Sequence, residues 1–179
     1  MGARIVLTLF MLMGGISCMD RQDFDQVDDI NAYPIIEGSI LYLELPEDLL
    51  NQAPVTEPYG QEFNFDGFSE DIFAERVLQG TVFYELENTT SKELEVAVEF
   101  LDEGGEPLDS QKFRIPPVPA PLTEKVPYGG SSSKSIEIIR NTSGIRITVQ
   151  NLGDNTSVSS LPQPKVIIRS SGKFRMQLR

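Results

Sequence analysis

The chain has 179 residues, with 15 Lys and Arg against 27 Asp and Glu, no His, no Trp and a single Cys. Without His there is no Ser-His-Asp or Cys-His nucleophile, no His-ligated metal and no histidine pH switch. One Cys excludes an internal disulfide and any multi-Cys zinc or iron–sulfur site, and a net charge of −12 opposes nucleic acid, whose phosphates demand clustered Lys and Arg.

Residues 1–17, MGARIVLTLFMLMGGIS, carry one charge at Arg4, an apolar run from Ile5 to Met13 and then Gly14, Gly15 and Ser17. This is the layout of a secretory signal peptide. The apolar run is far shorter than the roughly 20 residues of a spanning helix. Gly15-Ile16-Ser17-Cys18 resembles a bacterial lipobox, with Gly15 where Leu is usual, as in the looser lipoboxes of Bacteroidetes lipoproteins. The resemblance implies cleavage before Cys18 and acylation of its thiol, which makes Cys18 an anchor and not a nucleophile. Each buried CH₂ of such a chain is worth about 0.8 kcal/mol of membrane affinity. Residues 18–31 hold five Asp between Asp20 and Asp29 and too few apolar groups to fold, so they read as a solvated tether. Asp23-Phe24-Asp25 resembles the acidic surface-export signals of the same lipoproteins; the cell surface and the periplasmic face of the outer membrane both remain open.

From residue 32 to 179 the pattern has period two, a strand signature for one domain. Ile36–Leu45 predicts a first strand stopped by Pro46. Residues 46–61 read mostly as loop, with a short helix near Glu47–Asn51. Ser69 predicts a helix N-cap, with Ile72 and Phe73 turned inward. Val82, Tyr84 and Leu86 mark one face of a strand over Arg76–Glu87. Asn88-Thr89-Thr90-Ser91 reads as the turn to a returning strand with Leu94, Val96, Val98 and Phe100 inward. Asp102-Glu103-Gly104-Gly105 is a second turn, leading to a strand over Leu108–Ile115. Pro116, Pro117, Pro119 and Pro121 cannot donate ladder hydrogen bonds, so they predict an extended crossing before a strand at Leu122–Val126. Lys134–Arg140 and Ile145–Asn151 read as strands joined by a turn. After a polar loop over Leu152–Gln163, two final strands are expected around Ser170-Ser171-Gly172.

About eight short strands and at most two short helices predict an all-β, two-sheet antiparallel sandwich. The stretch Tyr84–Pro117, YELENTTSKELEVAVEFLDEGGEPLDSQKFRIPP, resembles the meander of immunoglobulin-like and transthyretin-like sandwiches. NTTSKEL and NLGDNTSVSSLP resemble segments of marine Bacteroidetes outer-membrane lipoproteins, an uncharacterised family that implies a location and no activity.

Residues 18–110 hold 24 acids and 3 bases, whereas residues 111–179 hold 11 bases and 3 acids. Glu85, Glu87, Glu93, Glu95 and Glu99 lie opposite the apolar positions and predict one acidic face on a central hairpin. Lys165, Arg169, Lys173, Arg175 and Arg179 predict a basic face on the final strands. Either the basic strands lie beside the acidic ones and pair with them, or the two faces occupy different sheets and orient the domain against a charged partner.

Carboxylate-only glycoside hydrolysis would draw on Glu37, Glu44, Asp66 and Glu70, but a chain with 5 Tyr and no Trp offers few sugar platforms. For calcium, Glu62, Asn64 and Asp66 before Gly67 resemble the first half of an EF-hand loop, with Phe73 where its bidentate Glu should fall. Asp102, Glu103 and Glu106 are a weaker oxygen set. The loop Asn151–Ser157 lies where binding residues gather. Together these features predict a lipid-anchored outer-membrane lipoprotein, not an enzyme, with no cofactor beyond the lipid on Cys18. Its sandwich would be presented to an envelope protein. The alternative is a glycan- or calcium-binding module of a surface uptake system.

Overall fold

The computed structural model describes residues 32–117, 120–132 and 134–178. The leader, Cys18, the acidic tether and Arg179 lie outside them. Eight strands form two sheets: β1 (Ile35–Pro46), β2 (Tyr59–Asn64), β3 (Val77–Asn88), β4 (Leu94–Leu101), β5 (Pro107–Ile115), β6 (Leu122–Gly129), β7 (Gly144–Asn151) and β8 (Lys165–Met176). Three short helices, α1 (Glu47–Gln52), α2 (Asp71–Ala74) and α3 (Ile136–Arg140), lie in the connections.

One sheet has the order β1-β8-β3-β6 and the other β2-β7-β4-β5. First pairs with last, second with seventh, third with sixth and fourth with fifth, all antiparallel. The chain is thus one long hairpin, with its tip between β4 and β5, rolled up so that β3 also meets β8 and β4 also meets β7. That is an eight-stranded jelly roll. The two-sheet sandwich is as expected, but its strand order differs from the immunoglobulin sandwich, whose strands divide four and three.

Only β4 and β5 are consecutive strands of the same sheet. Their turn is made locally: Asp102 Oδ1 accepts from the Gly104 and Glu106 amides, and Gly105 takes φ +80°, a left-handed conformation that glycine adopts without strain. Every other link crosses between sheets, so the expected β3–β4 hairpin is instead an arch. Asn88 makes it. Its Nδ2 donates to the carbonyls of Lys92 (2.7 Å) and Ile115 (3.2 Å), while its Oδ1 accepts from Thr90 N and Oγ1. The core lies between the sheets, with Leu45, Val82, Tyr84, Leu86 and Ile168 meeting Leu94, Val96, Val98, Ile145 and Ile147.

Four sequence expectations are corrected. Residues 59–61, the end of the stretch read mostly as loop, open β2, which runs on to Asn64. Lys134–Arg140, read as a strand, contains α3: the Ser135 hydroxyl accepts from the Glu137 amide, Arg140 reaches back to Glu137, and one turn buries Ile139 on the crossing from β6 to β7. The two final strands are one, because Ser170 and Gly172 face the core in mid-strand, where the Phe174 ring needs small neighbours. Glu70, which makes no side-chain cap, and not Ser69 stands at the N-cap position of α2, and Ile72 is exposed, while Phe73 packs on the core as expected.

Candidate functional site

The connections divide between two ends of the sandwich. At one end β1 begins and β8 finishes, tied by the Ala32–Leu178 bridge, beside the links β2–β3, β4–β5 and β6–β7. At the other lie α1, the β3–β4 arch, the β5–β6 crossing and the loop 152–164. This second end holds the most organised polar cluster of the described residues, and its two principal members are not among the sequence candidates.

Glu47 opens α1 and is 2 % exposed; Lys92, in the arch, is 1 % exposed. Glu47 Oε1 accepts from the Ser91 amide and hydroxyl, both at 2.6 Å, and Oε2 accepts from the Ser159 amide at 2.9 Å. Lys92 Nζ donates to the Ser157 carbonyl at 2.6 Å and to Ser91 Oγ at 3.0 Å, and stands 3.9 Å from Glu47 Oε1 and 3.6 Å from Asp154 Oδ1. Asp154 folds the loop under itself by accepting from the Thr156 and Ser157 amides and the Ser157 hydroxyl. These last donors hold its carboxyl far below the usual carboxylate range, Ser157 foremost. The net effect is to staple the loop 152–164 to α1 and the arch. Only the place of Asp154 in a polar loop was legible in the sequence. Lys92 is one of three bases among 24 acids in residues 18–110, the one signal that could have marked it.

Burial alone would raise the Glu47 carboxyl, but the Ser91 hydroxyl, the Ser159 and Ser91 amides and the Lys92 charge outweigh it and leave it below its ordinary value. A carboxyl lowered on folding stabilises the fold above its unfolded pKa, and that contribution is lost as pH falls toward the folded one. Urea midpoints should therefore stay level above about pH 5 and fall below about pH 4. Glu47→Gln should remove part of that fall, since Glu44, Glu93 and Asp154 are lowered as well.

Beside this cluster a cavity of about 490 Å³ is walled by Pro46, Asn51, Val158, Gln163, Pro164 and Lys165. Gln163 takes φ +52°, a left-handed conformation found in no other non-glycine residue described; holding it costs on the order of 1 kcal/mol. Asn51 Nδ2 donates to the Ser157 carbonyl, while its Oδ1 is buried and meets no donor among the described residues.

The expected acidic face is divided. Glu85 and Glu87 lie on the outer side of the β1-β8-β3-β6 sheet, and Glu93, Glu95 and Glu99 on the other sheet. The bases lie between the acids. On β8, Lys165 meets Glu44 at 2.7 Å, Arg169 meets Glu85 at 2.7 Å and Glu87 at 3.9 Å, and Lys173 meets Glu37 at 2.6 Å. Arg175 stands 4.9 Å over the Tyr33 ring. On the second sheet, Arg146 of β7 bridges Glu62 of β2 and Glu99 of β4, and Arg114 and Lys112 of β5 meet Glu93 and Glu95. Cross-strand pairing thus takes up all five glutamates of the expected acidic face and Lys165, Arg169 and Lys173 of the expected basic one. Exposed pairs of this kind are worth at most about 1 kcal/mol. Arg169→Ala should therefore shift the urea midpoint slightly, and the shift should shrink further as salt is raised.

Of the calcium candidates, Glu62, Asn64, Asp66, Asp102 and Glu103 line one cavity of about 580 Å³, and Glu106 does not. Glu62, Asn64, Asp66 and Asp102 are already engaged, however. Arg146 holds Glu62 at 3.1 Å, Asn64 Nδ2 donates to Asp66 Oδ2, and Asp102 ties its own turn. No group of three His, Cys, Asp or Glu able to hold a metal occurs among the described residues. Of the hydrolase candidates, Glu37 and Glu44 are paired with Lys173 and Lys165 and face outward.

No protein-family model matches the chain, and no curated protein matches it. Solved structures it resembles include a chain of the disulfide-linked pili of Bacillus endospore appendages, at 13% identity and TM-score 0.38, over 83% of this chain and 92% of that one. Another is the VP2 subviral particle of infectious bursal disease virus, at 8% identity and TM-score 0.40, over 80% of this chain and 32% of that one. A third is the enzymatically active domain of bacteriophage CBA120 tailspike protein 4, at 14% identity and TM-score 0.38, over 80% and 18%. Likenesses this distant say nothing of what the chain binds.

Proposed function

We propose that this chain is a lipid-anchored envelope protein, held at Cys18, whose jelly roll binds a protein partner and performs no catalysis. The observation that carries the reading is the opposition of the two ends. The chain enters β1 at the end with the Ala32–Leu178 bridge, and a strand of 12 residues at about 3.3 Å each takes it roughly 40 Å to the end with the stapled loop. In a chain anchored at Cys18, the stapled loop therefore lies at the end of the sandwich opposite the one where β1 begins. Rigid loops on a rigid scaffold suit recognition, because little ordering remains to be done on binding.

The test uses the native lipoprotein extracted in mild detergent. Expected are acyl mass on Cys18, partition into a detergent phase, and co-purification of an envelope protein; Cys18→Ala should abolish the first two. A wild-type product that stays in the aqueous phase with no acyl mass overturns the reading.

A further inference from the structure

We infer that the cavity between α1 and the loop 152–164 is an anchor pocket for an aliphatic side chain flanked by Lys or Arg on an extended segment of a partner protein. The inference rests on the partner-binding reading above and gives it a place and a chemistry.

Three observations meet there. The first is apolar exposure. Val158 (71 % exposed) presents a bare side chain in the cavity wall beside Pro46 and Pro164, and Leu49 on α1 and Leu161 on the same loop (44 and 42 %) are exposed on the elements that bound it. Apolar groups gathered about a concavity mark interaction surfaces. The second is charge. The lining contains the carboxylates of Glu44, Glu47 and Asp48 against the single ammonium of Lys165, and Asp154, 57 % exposed, stands on the same loop. Lys165 and Glu44 neutralise one another, as do Lys92 and the buried Glu47, so the net acidity of the rim comes from Asp48 and the half-exposed Asp154 and favours a partner with basic residues beside its apolar one. The third is strain in the wall, where Gln163 holds φ +52°. The volume, about 490 Å³, holds an aliphatic side chain with its backbone and lies within the ordinary range of binding clefts. The Glu47–Lys92 staple holds the loop in place before anything binds.

The probe is a random-peptide phage library panned on the acylated protein in detergent micelles. Enriched peptides should carry Leu, Ile or Val next to Lys or Arg. A synthetic peptide of the consensus should bind Val158→Asp and Leu161→Asp about tenfold or more weakly, with thermal midpoints unchanged because both side chains are exposed. Its binding should weaken as salt rises, and Ile72→Asp, exposed at the opposite end, should change nothing. No enrichment, enrichment without basic residues, or equal binding by Val158→Asp overturns the pocket. So does self-association lost in Val158→Asp, which would place a second copy on this face. Partner capture that survives both loop variants refutes the pocket and leaves the presenter reading intact. Peptide binding by a protein that proves unacylated does the reverse.

Discussion

Replacing Lys92 by methionine should cost the domain about 3 kcal/mol, out of a total that for such domains is about 5–15 kcal/mol. The ammonium is 1 % exposed and sits 3.9 Å from a carboxylate that is 2 % exposed. Removing one partner leaves the other charge buried without compensation, which typically costs about 3–5 kcal/mol. The lower figure applies here for two reasons. Asp154, half open to water, already screens the ammonium, and Glu47 keeps its three donors from Ser91 and Ser159. The loss should appear as a lower urea midpoint at unchanged slope, and Glu47→Gln in the same chain should restore part of it, since the stranded charge is then gone. A loss below about 1 kcal/mol would mean that the cluster behaves as a solvated surface pair.

Phe174→Ala should be the other large effect, about 3–5 kcal/mol for deleting a buried ring. Phe174 is 4 % exposed and lies edge-on to Phe68 and Phe73, each with ring centroids at 5.1 Å. On its other side it covers two glycines. A Cβ built on Gly80 or Gly172 would stand 2.2 Å from a ring carbon, and the boxed ring cannot retreat. Gly80→Ala should therefore cost about 1–3 kcal/mol by overpacking. The decisive measurement is the cycle. All three nearest neighbours of a Gly80 Cβ belong to Phe174, so Gly80→Ala in the Phe174→Ala background should cost close to nothing. Equal costs in the two backgrounds would show that backbone conformation, and not the ring, selects glycine at this position.

Legibility followed range. The β4–β5 hairpin was readable because Asp102, Gly104 and Gly105 make their turn among themselves. The strands with strict alternation, β3, β4 and β7, were readable because each buries one face. Misreadings fell where distant partners decide. Ser170-Ser171-Gly172 has turn composition, yet the facing β3 and the Phe174 ring keep it extended. Residues 136–140 are rich in β-branched Ile, yet a crossing between sheets and the Ser135 cap make them helical. The stapled cluster was the least visible, because Glu47, Lys92 and Asp154 are unremarkable as single residues and acquire meaning only when α1, the arch and the loop meet.

By itself the sequence determined the class: all-β, two layers, short strands with one apolar side, since alternation and burial are local to each strand. It also carried the split between an acidic first half and a basic second half. What that split meant was decided only by the tertiary structure. Rolling a single long hairpin sets strand one beside eight, two beside seven and four beside five, so acidic strands lie against basic ones in both sheets. The physical reason is that like charges on neighbouring strands repel and opposite ones attract at the spacing of a cross-strand pair, and only the pairing order says which strands are neighbours.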